Sequence, residues 1–208
     1  FFEDNKITIA FFTTQVAEQF MKLKNTSLRY LIAGGEKLRR FYPNSPYKMM
    51  NVYGPTETTV VATNYIVEED MENIPIGKPF PTVKCYIVDS MERIQPLGAR
   101  GEIYISGDGV GKGYINKPEM TKERFSEYKG RRVYKTGDYA YYGSDGNILF
   151  FGRRDKQLKI NGFRIEVGEI EKHILDLEFI KEAVVIDYAD KEGNKYMCCY
   201  YVAPKEFT

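Results

Sequence analysis

The residues with the clearest chemical potential stand together at Asn51-Val52-Tyr53-Gly54-Pro55-Thr56-Glu57. They end an apolar run and enter a Gly-Pro turn. That placement puts polar side chains at the carboxyl edge of a sheet, where open α/β sheets bind their ligands. The Tyr53 ring offers a face on which a base can stack. The Thr56 hydroxyl can donate to a phosphate oxygen. The Glu57 carboxylate is the hard oxygen ligand that suits Mg²⁺, whose other ligands are waters and phosphate oxygens. Residue types alone leave a second reading open, a strand-ending turn with a solvated glutamate.

Other chemistries find little support. The one histidine, His173, falls in a predicted helix, which argues against a Ser-His-Asp or histidine-metal mechanism. The three cysteines are Cys85, Cys198 and Cys199. An odd number with two adjacent is neither a disulfide framework nor a zinc spacing, and reads as buried thiols on strands in a reducing cytosol. No G-x-x-x-x-G-K-[ST] phosphate loop is present. The stretch Gly107-Asp108-Gly109-Val110-Gly111-Lys112-Gly113 does not fit G-x-G-x-x-G, and its glycines are read as letting two backbones approach or supplying tight turns. Lys and Arg number 30 against 29 Asp and Glu, so charge gives no reason to expect nucleic acid or an anionic membrane as partner. No apolar run is long enough for a membrane span, and no basic-start signal peptide is visible. The opening Phe1-Phe2-Glu3-Asp4, without Met, predicts a piece of a longer chain.

The elements that must position the 51–57 cluster come in three segments. Over 1–65, strands alternate with helices. Ile7–Phe12, Leu28–Ala33 and Lys48–Val52 read as strands. A helix capped by Thr14 presents Val16, Ala17, Phe20, Met21 and Leu23, and Glu36–Tyr42 reads as a short helix. Such alternation predicts a parallel α/β sheet. From about residue 60 the pattern turns β-branched and aromatic, with strands at Val60–Val67, Val83–Val88 and Gly101–Ile105, a helix at Lys117–Phe125 and a hairpin turn at Ser144–Asn147. This predicts a β-rich, barrel-like unit. Over 155–208, Asn161-Gly162 joins two short strands, a helix runs over Val167–Leu177, and two strands flank Glu192-Gly193-Asn194, which predicts a small α+β domain. The expected boundaries are therefore 1–154, divided into 1–65 and 66–154, and 155–208.

With the elements in place, the heptapeptide and Thr58-Thr59 resemble the signature of the adenylate-forming superfamily, specifically the adenylation domains of nonribosomal peptide synthetases. Four further stretches match that family in order. They are Gly101–Gly107 through Gly113-Tyr114, Tyr134-Lys135-Thr136-Gly137-Asp138, Gly152–Ile160, and Gly162–Glu166 with Gly168–Glu171. The resemblance covers essentially the whole chain and implies a partial adenylate-forming-enzyme fold.

The resemblance implies roles for particular residues. Asn51 and Tyr53 would hold adenine, with Val52, Gly54 and Pro55 completing the segment. Thr56 would contact the α-phosphate and Glu57 would bind Mg²⁺. Asp138 would accept the ribose hydroxyls, Phe150 would flank the nucleoside, and Arg153 would sit near ribose and phosphates. Gly34 and Gly35 would let the adenosine approach the backbone. Asp155 matches a hinge about which the small domain rotates. Lys159 and Gly162 lie on a hairpin that meets the pantetheine arm. The substrate pocket would include Phe11, Leu31, Ala33, Val52, Val60 and Val61, all apolar, which implies a hydrophobic amino acid.

The implied activity is ATP-dependent formation of an aminoacyl-AMP, then transfer to the phosphopantetheine thiol of a carrier protein, as in antibiotic synthesis. The family's phosphate-gripping loop and catalytic lysine have no counterpart in these 208 residues, and Lys205 lacks the family's Asn-Gly-Lys context. The chain alone is therefore expected to be inactive. Two other readings stay open: a D-alanine–carrier-protein ligase or acyl-CoA synthetase relative, and a non-catalytic binding module that keeps the fold.

Overall fold

The computed structural model describes residues 1–43, 45–153, 157–160, 163–189 and 195–204. The chain divides into two compact units, Phe1–Arg154 and Asp155–Thr208.

The first unit opens with β1 (Ile9–Thr13), α1 (Thr14–Phe20), β2 (Tyr30–Gly34) and β3 (Lys48–Tyr53). These three strands pair in parallel, and β4 (Thr63–Val67) and β5 (Lys78–Pro79) continue the sheet antiparallel. Strand alternation turns Leu31, Ala33 and Met49 toward α1, where they are fully buried with Ala17. Each large aliphatic side chain so buried stabilises the fold by about 1.5–3 kcal/mol.

Two local expectations differ from what forms. Thr14 lies inside α1, and Thr13 stands at the N-cap without a side-chain bond to the helix. The Thr14 hydroxyl instead donates to the Glu36 carbonyl at 3.0 Å. The expected helix over Glu36–Tyr42 is an irregular segment. Its backbone N–H groups bond to side chains of other elements: Arg39 N to Glu18 Oε1 at 2.8 Å and Phe41 N to Asp70 Oδ1 at 3.1 Å. Bonds of this kind compete directly with helix formation, and they seat Leu38 and Phe41 in the core. On α1 itself, Val16 is exposed, while Ala17 and Met21 face inward.

A second sheet has the order β10-β9-β7-β6, with β8 also on β9. Its strands are β6 (Val83–Val88), β7 (Gly101–Gly107), β8 (Phe125–Tyr128), β9 (Arg131–Tyr142) and β10 (Ile148–Arg153). All pairings are antiparallel. The sheet stays open, as a half-barrel, with β6 and β10 at its ends. The short α2 (Pro118–Arg124) leads into β8, with Pro118 in its first turn, where a missing N–H costs nothing. The two sheets share a core in which Tyr53, Ala62 and Ile76 pack with Ile87, Ile103, Ile105 and Ile148.

In the second unit, β11 (Leu158–Ile160) pairs with β12 (Phe163–Ile165), and β13 (Glu182–Ala189) pairs with β14 (Lys195–Val202). Between them, α3 (Val167–Leu175) is tied to β13 by Glu171 Oε1, which accepts the Val185 N–H at 2.9 Å. The turns expected at Asn161-Gly162 and Glu192–Asn194 lie outside the described residues. Among the described residues, no helix is long and apolar enough to cross a membrane.

Candidate functional site

The end of β3 is shaped by crowding. A Cβ on Gly54 would stand 2.6 Å from the Val60 carbonyl oxygen and 2.8 Å from Ala62 N, so only glycine lets the chain double back here. Ala62 N in turn donates to Tyr53 O at 2.8 Å. Thr56–Thr58 then forms one 3-10 turn, with the Thr58 hydroxyl donating to Pro55 O. The tight turn leaves Thr56 exposed and Glu57 half-buried.

Asn51 and Tyr53 turn inward instead. The Asn51 amide donates to Pro75 O at 2.7 Å, and the Tyr53 hydroxyl donates to Asp138 Oδ2 at 2.6 Å. Both side chains are under 10% exposed. A buried amide or hydroxyl must find a partner inside the protein, and these bonds supply it. Burial, and then the Asp138 charge, push the Tyr53 phenol well above its ordinary range.

Asp138 owes its position to irregularities in two strands. Between β7 and β9 the register slips: β7 advances from Glu102 to Tyr104 while β9 runs back from Tyr139 to Lys135. Gly137 sits in that bulge at φ +73°, a left-handed conformation that favours glycine. Thr136 Oγ1 accepts the Asp138 N–H at 2.9 Å and donates to Ile103 O, which fixes the bend. On β10 a second slip between Phe150 and Gly152 brings Arg153 opposite Asp138. Without that extra residue, Arg153 would point to the other face. With it, Arg153 Nη1 lies 2.6 Å from Asp138 Oδ1.

The Asp138 carboxylate is thus held from both sides at 2% exposure. A carboxylate has about four acceptor sites, so two bonds do not exhaust it. The Phe150 ring stands 6.3 Å from the Tyr53 ring at a 40° tilt.

Glu57 has a partner that sequence reasoning missed. Tyr114 Oη donates to Glu57 Oε1 at 2.6 Å, and Tyr134 Oη lies 3.4 Å beyond. In sequence Tyr114 is only the end of a matched stretch, and no local pattern links residues 57 positions apart. Burial, and then the bond to Glu57, raise the Tyr114 phenol. The glycine-rich stretch packs on the same turn: a Cβ on Gly109 would meet Thr58 O at 2.9 Å. Close backbone approach is therefore what Gly109 and Gly111 serve, whereas Gly113 lies at φ +137° against the Thr121 side chain.

The six expected pocket residues do not share a face. Leu31 and Ala33 are core residues against α1. Val52 stands across from Gly34, where a Cβ would meet its Cγ2 at 2.8 Å, and Phe11 has the same strand parity as Val52. The cause is the two-residue period of strands, which sends neighbours to opposite sides. Phe11 and Val60 are exposed, and Val61 is half-buried. Gly35 follows β2 at φ +104°, with nothing within 4 Å of an added Cβ. Asp155, Gly162 and the Lys159 side chain lie outside the described residues. An open groove of about 620 Å³ runs along Lys112–Pro118, Thr121 and Lys122, and includes Tyr114 with the end of the glycine-rich stretch.

The family model described as AMP-binding enzyme matches residues 1–115, more than half of the chain. The chain belongs to the AMP-binding enzyme family. Over 209 residues it is 49% identical to bacitracin synthase 1 of Bacillus licheniformis, covering 99% of this chain and 4% of that protein. This family member therefore spans a small fraction of the length of such relatives.

Among solved structures, it superposes with a TM-score of 0.85 and 27% identity on the holo form of an NRPS protein containing adenylation and PCP domains bound to a vinylsulfonamide inhibitor, over 99% of this chain and 38% of that one. It also matches a four-domain nonribosomal peptide synthetase bound to AMP and glycine, with TM-score 0.66 and 30% identity, over 98% of this chain and 16% of that one. The fold of this family member is part of the adenylate-forming fold.

Proposed function

We propose that this chain is the ATP-facing portion of an amino-acid-activating adenylation domain within a longer nonribosomal peptide synthetase. The observation that supports it best is the convergence of Tyr53 and Arg153 on the Asp138 carboxylate. Those three residues come from three separately matching stretches, and Thr56 and Glu57 follow Tyr53 by one turn.

In this reading the substrate carboxylate attacks the α-phosphorus of ATP. A P–O bond forms to give aminoacyl-AMP, and the bond to pyrophosphate breaks. A phosphopantetheine thiol of a carrier domain then attacks the acyl carbon, and AMP leaves. The exposed Thr56 hydroxyl donates to an α-phosphate oxygen. Asp138 accepts from the ribose, Arg153 supplies fixed positive charge, and Phe150 flanks the nucleoside. Asn51 and Tyr53, with Val52, Gly54 and Pro55 beside them, hold the adenine, and Gly34-Gly35 lets the nucleotide approach. Asp155 acts as the hinge, with Lys159 and Gly162 on the thiolation face.

Among the described residues, no three His, Cys, Asp or Glu side chains converge as a metal cage. A single half-buried carboxylate at Glu57 fits Mg²⁺, which is bound by one or two carboxylates together with substrate phosphates. When bound, that ion neutralises charge on the phosphates. The three free thiols support a reducing, cytoplasmic setting.

The apolar character of Phe11, Val52, Val60 and Val61 supports a hydrophobic amino acid as substrate. The test is amino-acid-dependent ATP–pyrophosphate exchange by the complete module, run across a panel of amino acids. An aliphatic or aromatic amino acid gives the fastest exchange. Preference for Asp, Glu or Lys contradicts the pocket, and exchange with none contradicts adenylation. The 208-residue chain alone gives no exchange.

A further inference from the structure

The glycine-rich stretch and Tyr114 have no role in the reading above, yet they enclose Glu57 on several sides. Gly111 N donates to the Glu57 carbonyl at 2.8 Å. The Thr59 hydroxyl donates to Gly109 O at 2.9 Å. Tyr114 Oη donates to Glu57 Oε1 at 2.6 Å. An added Cβ on Gly111 would stand 3.2 Å from Glu57 O, so bulk there pushes on the Glu57 backbone itself. The loop is anchored in turn by Arg132 of β9, whose guanidinium donates to Gly111 O at 3.2 Å and to Lys112 O at 2.7 Å. The Tyr114 ring is wedged against Phe125, with centroids 5.5 Å apart.

We propose that Tyr114 is a positioning residue for Glu57, and that the 107–114 segment is the clamp that aims the Glu57 carboxylate at a divalent cation. A carboxylate on a loop turn is free to rotate, and rotation lowers its affinity for an ion that demands near-ideal geometry. A phenol bonded to one oxygen removes that freedom. Hydrogen-bonding partners of this kind typically change metal affinity by about 10–100-fold. The inference rests on the reading of Glu57 as the metal ligand.

The test uses the complete module with α,β-methylene-ATP, which cannot form an adenylate. Mn²⁺ binding is read by electron paramagnetic resonance for wild type, Tyr114→Phe, Glu57→Gln and the double variant. Phenylalanine keeps the ring packing and removes only the hydroxyl. Tyr114→Phe weakens Mn²⁺ binding about ten-fold with little change in melting temperature, and adds no further loss on the Glu57→Gln background. Unchanged Mn²⁺ affinity in Tyr114→Phe, with Glu57→Gln weakened, overturns the positioning role alone. An equal loss on both backgrounds also overturns it, because the effect then does not pass through Glu57. Unchanged affinity in Glu57→Gln overturns the ligand reading and the positioning role together.

Discussion

The Tyr53 hydroxyl donates a 2.6 Å hydrogen bond to Asp138 Oδ2, tying the mixed sheet to the antiparallel one across 85 residues of sequence. Arg153 takes the other carboxylate oxygen at 2.6 Å. The three side chains form one buried unit, so their substitutions are not additive.

Tyr53→Phe removes one partner from a carboxylate that is 2% exposed, and lowers stability by about 1–3 kcal/mol. Asp138→Ala costs more, about 3–5 kcal/mol, because it removes the buried carboxylate that both Tyr53 and Arg153 bond to. Urea midpoints of the complete module check both, and a double-mutant cycle with Asp138→Asn shows a coupling between positions 53 and 138. Independent effects contradict the contact.

Gly54→Ala strains the turn that carries Thr56 and Glu57, since its Cβ meets Val60 O at 2.6 Å and Ala62 N at 2.8 Å. Overpacking of this kind costs about 1–3 kcal/mol. A lowered melting temperature together with a raised KM for ATP is expected, and an unchanged protein contradicts the close approach.

Alkaline stability follows from two neighbouring groups in the half-barrel. Burial pushes the Cys85 thiol from 9.0 up to about 12 and the Tyr142 phenol from 10.0 up to about 12. Tyr142 also donates to the Cys85 carbonyl at 2.8 Å. Both folded values are raised, so the native state keeps protons that the unfolded chain releases. Their contribution is full below about pH 9 and is lost as pH rises through about 12. The urea midpoint should fall steadily across that window, and a rise contradicts the burial. Iodoacetamide at neutral pH should label exposed Cys199 well before buried Cys85.

The strands were legible because their residues are β-branched and alternate: Val83–Val88 forms over the expected range. The 36–42 segment was misread because its helix pattern is real but its N–H groups are taken by Glu18 and Asp70, partners that only the folded chain brings near. The apolar pocket residues were legible as types. Their split between two sheet faces was not, because it depends on register and on which face α1 covers.

The candidate site shows the same limit. Asp138 and Arg153 stood out as single residues. Two strand irregularities, one requiring Gly137 at positive φ, make them a pair, and bulges leave only a faint trace in a lone sequence. Tyr114 against Glu57 left no trace at all.

The central claim is that the turn after β3 forms one wall of an ATP·Mg²⁺ site for amino acid activation. The most direct measurement is amino-acid-dependent ATP–pyrophosphate exchange by the complete module carrying Glu57→Gln, a substitution that keeps shape and removes charge. The account predicts a loss of about 100-fold or more in kcat/KM, or about 2.7 kcal/mol of transition-state stabilisation, with the melting temperature preserved. Exchange at the wild-type rate contradicts it.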